Sequence, residues 1–213
     1  MELNVDLKNA INNQDIEETE SIIKKELEIN PKNIQLWLKL SLTELQFPFE
    51  DYESALQCIS RIYNIDPCNI DAIILETGIR WHSFGFINEE LFKRLVKTSC
   101  AYEKKTAIIY YLQSLYYEYD KDIKNQKLLL EKSIEVYDRF VYPYRDLGTI
   151  LLSELKFKER NEMLKKAVAN VKKVLQIEDP YDFTDVDMYI AEFITGTEIS
   201  YINFESLKEQ IKV

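Results

Sequence analysis

Apolar residues recur every three to four positions through nearly the whole chain, and this period limits the fold more than any other feature. Ile108, Tyr111, Leu112 and Leu115 share one helical face, as do Leu147, Ile150, Leu151 and Leu155. Strand alternation would place such residues on opposite faces, so these segments read as amphipathic helices. Breaks rich in Asn, Asp and Pro separate them: Asn12 to Asp15, Asn30-Pro31, Asp66-Pro67, Asp120 to Asp122 and Asp179-Pro180. The intervals of roughly 10–16 residues suit helices packed in antiparallel pairs, about a dozen in all. Only four glycines and five prolines occur in 213 residues, whereas sheets and barrels need many more for their turns.

Several functions are excluded at this level. Gly78, Gly85, Gly148 and Gly196 never fall at the spacings of a Gly-x-Gly-x-x-Gly or Gly-x-x-x-x-Gly-Lys phosphate loop. His82 is the only histidine, so sites needing two histidine ligands are absent and no cofactor or metal is expected. Cys58, Cys68 and Cys100 form no Cys-x-x-Cys pair, and their odd number argues against a secreted disulfide framework. The first ten residues carry Glu2, Asp6 and Lys8 without an apolar stretch, and no run approaches a membrane span. A cytoplasmic location is the expectation. At 46% apolar and 30% charged residues the chain is too hydrophobic for disorder, and its length can bury a core without staples.

A repeat is visible in the spacing. Trp37, Leu40, Ser41 and Glu44, followed by Tyr52, Ala55, Ile59 and Asp66-Pro67, resemble the tetratricopeptide pattern W-x₂-L-G-x₂-Y…A-x₃-F…P. Ser41 and Glu44 depart from it, and two extra residues fall in the turn around Gln46 to Phe49. Tyr144, Leu147, Gly148 and Leu151, with Leu164 and Ala167, make a second match, and Ser133 and Ala167 lie 34 positions apart, one usual repeat. Weaker units run from Ile74 to Trp81 and from Ile108 to Leu115. The resemblance covers about residues 31–175 and implies an all-α, right-handed solenoid of helical hairpins. The array is expected over 1–177, with 1–31 as a degenerate first hairpin. Residues 178–213 read as an acidic linker and helical cap of the same domain, with helices near 185–194 and 204–211; 199–204 could instead form a short strand.

The resemblance also implies a concave groove lined by the first helix of each pair. Carried over by phase, His82, Gln113, Tyr116, Tyr117, Arg145 and Thr149 face it, although Tyr116 and Tyr117 could equally pack between helices. Leu38 and Leu42 stand where co-chaperone repeats hold a carboxylate with basic and amide side chains, which argues against chaperone-tail binding. A second candidate surface is acidic: Asp179, Asp182, Asp185 and Asp187, with Glu50, Asp51 and Glu53 on the elongated turn. The acid pairs Glu17-Glu18, Glu50-Asp51 and Glu89-Glu90 fall where helices begin, which favours a helix-start role over acid–base catalysis. With a net charge of −10, nucleic acid and anionic membranes are disfavoured as partners and a basic protein is favoured. The first functional expectation is an acidic inhibitor of a basic protein, such as an immunity-type protein against a nuclease toxin; the alternative is an adaptor or regulator that takes a peptide in the groove. A helical enzyme ranks third.

Overall fold

A computed structural model describes residues 5–98, 101–174 and 183–187. Among these residues there is no strand, and ten helices follow one another: α1 (Val5–Asn12), α2 (Ile16–Ile29), α3 (Ile34–Glu44), α4 (Tyr52–Ile65), α5 (Ile70–Phe84), α6 (Glu89–Lys97), α7 (Glu103–Tyr119), α8 (Ile123–Val136), α9 (Val141–Ser153) and α10 (Phe157–Val174). The expectation of twelve exceeded this by two. The helix expected near 204–211, most of that near 185–194, and the segment 199–204 all lie outside the described residues.

Local chemistry explains where the helices start. Asp15, Asn33, Asp51, Asn69 and Asn88 each accept a hydrogen bond from the amide three residues on, at 2.9–3.3 Å. Asp122 does the same for Asn125 at 3.1 Å. Such caps satisfy amides that the helix itself leaves open, each contributing roughly 1 kcal/mol. The acid pairs are helix starts: Glu17, Glu18, Glu89 and Glu90 occupy first turns, and Asp51 is a cap.

The turns show the repeat more clearly than the core does. One residue adopts left-handed backbone in the turn after α1, α3, α5, α7 and α9: Gln14 (φ 55°), Glu50 (45°), Gly85 (71°), Lys121 (58°) and Leu155 (59°). Only at Gly85 is the residue one for which this conformation is free of steric cost.

The described residues form two compact units. The first holds α1 to α5 and residues 183–187. Its core joins Leu7, Ile11, Ile22, Ile23, Leu27, Leu36 and Leu40 with Cys58, and beside it Leu38, Leu42, Ala55, Ile59, Ile62, Ala72, Leu75 and Ile79. Ser41, at the position where the tetratricopeptide pattern has glycine, is fully buried and donates to the Ala55 carbonyl at 3.0 Å, which fastens α3 to α4. The second unit holds α6 to α10. There Ser133 donates to the Ala107 carbonyl at 2.7 Å, joining α8 to α7. A Cβ on Gly148 of α9 would meet Leu164 of α10 at 3.2 Å, so the small residue permits the close approach. Phe140, Ile108, Leu112 and Leu130 are fully buried here, each worth about 1.5–3 kcal/mol of apolar transfer.

Candidate functional site

The faces of α7 and α9 carry most of the residues that the repeat phase assigned to a groove. Gln113 does not face one: it is 8% exposed, and its Nε2 donates to the Leu95 carbonyl of α6 at 3.1 Å. Tyr116 stacks on Phe92 of α6 with ring centroids 4.0 Å apart, and Tyr117 meets the same ring edge-on at 5.4 Å. These rings tie α6 to α7, the packing role left open by the sequence. Gln113, Tyr116 and Tyr117 of α7 thus all contact α6.

Arg145 and Thr149, on α9, are placed differently. The Arg145 guanidinium lies over the Tyr142 ring at 4.7 Å, and its Nε donates to Asp146 at 2.6 Å. Tyr142 stacks in turn on Tyr111 of α7 at 5.7 Å, and Phe140 meets Tyr111 edge-on at 5.1 Å. Burial, together with the Asp146 charge, raises the Tyr111 hydroxyl well above its ordinary pKa. Glu118 is also shifted upward, first by desolvation and then by Asp146. The result is a packed aromatic floor with a guanidinium over it, 39% of the Arg145 side chain remaining accessible. Thr149 is exposed one turn further on.

Of the remaining residues, His82 is exposed in the last turn of α5. Glu50, Asp51 and Glu53 are exposed at the start of α4, but the Asp51 carboxylate accepts from both the amide and the hydroxyl of Ser54, which holds its pKa below the usual carboxylate range. Asp185 accepts from the Asp187 amide at 2.7 Å in an Asx turn. Asp179 and Asp182 lie outside the described residues.

Two chemical options narrow further. Burial, reinforced by the Glu44 charge, pushes the Cys58 thiol up to about 12, so it carries almost no thiolate at neutral pH. Cys100 lies outside the described residues. Among the described residues, no group of three His, Cys, Asp or Glu side chains could hold a metal, and no helix is long and apolar enough to cross a membrane.

One arrangement was not anticipated from sequence. Phe183 is 5% exposed and Thr184 1%, both seated in the first unit although Val174, the end of α10, precedes them by nine and ten residues. Phe183 enters the core formed by Leu7, Ile23, Leu36 and Leu40, and Val186 packs against the group containing Leu38 and Leu42. Lys39 of α3 donates to Thr184 Oγ1 at 3.0 Å and to its carbonyl at 3.4 Å. The available signal was Phe183 and Val186, an apolar pair three residues apart inside an acidic run.

The paired helices, their small-residue contacts and their spacing define a tetratricopeptide-like helical repeat fold. Solved structures of tetratricopeptide-repeat proteins share it. MamA matches with a TM-score of 0.63 and 17% identity over 83% of this chain and 100% of that one. PilW, described as a widely conserved type IV pilus biogenesis factor, gives 0.66 and 14% over 97% and 93%. PilF of Pseudomonas aeruginosa gives 0.64 and 13% over 96% and 94%. At these identities the likeness is one of fold. No protein-family model and no curated protein matches the sequence.

Proposed function

We propose that this protein is a non-catalytic interaction module, an adaptor or regulator that holds a peptide segment of another protein on the first-helix face of its hairpins. The observation that carries the reading is Arg145, held over Tyr142 at 4.7 Å and oriented by Asp146 while part of its side chain stays accessible. A guanidinium already held in place loses little further freedom when it binds a carbonyl or carboxylate, and arginine on an aromatic support is typical of binding hot spots. Exposed Thr149 extends the same face with a hydroxyl. The repeat fold supports the reading, because stacked hairpins create extended surfaces of this kind.

An acidic surface that neutralises a basic toxin finds less support. Asp51 and Asp185 keep their charge but direct carboxylate oxygens at Ser54 and at the Asp187 amide, which leaves fewer lone pairs for a partner. The partner favoured here is therefore a peptide segment read by Arg145 and Thr149, without a requirement for a basic protein.

Peptide-phage selection against the immobilised protein tests this, followed by affinity measurement of the recovered peptides on wild type, Thr149→Trp and Arg145→Met. Thr149→Trp places a bulky ring on the exposed face without touching the core, and binding should fall about tenfold or more, as expected when a centrally placed contact is lost. Affinities unchanged in both variants, with thermal unfolding also unchanged, would remove α9 from the binding surface. Raising salt from low to physiological strength should weaken binding by no more than a single exposed ion pair would; a steeper loss that Glu50→Gln and Glu53→Gln abolish would favour the acidic-capture reading.

A further inference from the structure

We infer that the face of α3 is a second peptide-recognition surface, and that its occupant in this structure is the chain's own segment Phe183 to Val186, which a partner segment of the same chemistry displaces. Three contacts of different kinds define what it reads. An aromatic ring enters an apolar site walled by α1, α2 and α3, where Phe183 is 5% exposed among Leu7, Ile23, Leu36 and Leu40. The Lys39 ammonium then takes a hydroxyl and a main-chain carbonyl from the next residue, Thr184. Two residues further, a β-branched side chain, Val186, lies against the group that holds Leu38 and Leu42. The site thus specifies an aromatic residue, then a hydroxyl, and two residues further an aliphatic side chain.

This surface is separate from the Arg145 face, which belongs to the other unit, and the inference stands or falls independently of that reading. The docked segment and its site are 145 positions apart in sequence at the Lys39–Thr184 contact, so docking is a long-range association of a short motif. The contacts described above come from side chains and one carbonyl, groups that a peptide from another protein also presents. An occupant that belongs to the same chain cannot be diluted away, so a partner in trans must overcome it. Cis occupancy therefore sets a threshold for partner binding.

The test uses the full chain and an end-blocked, fluorescein-labelled peptide Phe-Thr-Asp-Val-Asp. Anisotropy titration is run on wild type, on Phe183→Ala and on Phe183→Ala with Lys39→Met. The peptide should bind Phe183→Ala saturably, wild type about tenfold or more weakly because of the tethered competitor, and the double variant about tenfold more weakly than Phe183→Ala through loss of the charge-assisted contacts. No saturable binding to a folded Phe183→Ala protein, or equal binding to it and the double variant, overturns the proposal. If Phe183→Ala unfolds, hydrogen–deuterium exchange on wild type decides instead. Amides of Thr184 to Asp187 should exchange at least about a hundredfold faster than those of Ile23 and Ile59, as a displaceable segment opens locally. Protection equal to those core amides would make the segment a permanent part of the core and would overturn displacement.

Discussion

Ser133 and Ala167 allow the packing logic to be tested quantitatively. Both are fully buried, one in the α7/α8 hairpin and the other on α10, which packs on α9. Ser133→Leu adds carbon atoms where the serine hydroxyl now reaches the Ala107 carbonyl at 2.7 Å. Overpacking in a well-filled interior costs about 1–3 kcal/mol, and the lost hydrogen bond adds about 1 kcal/mol. The expected total for Ser133→Leu is about 2–4 kcal/mol. Ala167→Leu carries only the overpacking cost, about 1–3 kcal/mol. Ser133→Ala should lose the hydrogen bond alone, about 1 kcal/mol. Glu135→Leu, at an exposed position on the same helix, should stay within about 0.5 kcal/mol. Urea unfolding followed by circular dichroism measures all four, and with slopes of about 1–3 kcal/mol/M the leucine variants should unfold at visibly lower urea. If Ser133→Leu unfolds together with Glu135→Leu, the helices do not meet at that residue and the small-residue account is wrong.

The turns predict a contrast: Leu155→Gly should stabilise by up to about 1 kcal/mol by relieving left-handed backbone, whereas Gly85→Ala should cost about 1 kcal/mol, both read from melting curves. Glu44 supplies a pH test. Burial holds its carboxyl above the ordinary carboxylate range, Lys24 at 3.6 Å opposing this only in part because Lys24 is held chiefly by Glu20. A raised folded-state pKa gives stability that is present below the unfolded value and is lost as pH rises through the folded one. Glu44→Gln should therefore be more stable than wild type at pH 7, with the gap closing under acid conditions below the normal carboxylate range; a variant less stable at pH 7 would mean that the Lys24 pair dominates. Iodoacetamide at pH 8 should modify exposed Cys68 in the native protein and leave Cys58 unmodified until urea unfolds it, as mass spectrometry of the peptides would show.

Helices and their ends were legible because each depends on neighbours in sequence. The apolar face of α7, the helix start at Asp51 and the break at Asp120 to Asp122 follow from local rules, whereas Leu155, expected on the apolar face of α9, lies beyond the end of that helix in left-handed backbone and is exposed. Ser41 was also legible as a departure from glycine, but its bond to Ala55 required the three-dimensional pairing of α3 with α4. Gln113 was assigned to the groove by phase but is buried against α6, and for Tyr116 and Tyr117 the phase left both environments open because an amphipathic tyrosine satisfies either. The apolar pair Phe183 and Val186 marked the segment but not its seat, because a contact between residues so far apart leaves no periodic trace, and the surrounding acids suggested a solvated surface.

The most direct test of the central claim, recognition of peptide segments on the first-helix face, is hydrogen–deuterium exchange of the wild-type protein with and without a selected high-affinity peptide. The account predicts added protection in α9 around Tyr142 to Thr149, with α8 and α10 unchanged. Protection confined to α8 or α10, or to the Glu50 to Glu53 turn, would contradict it.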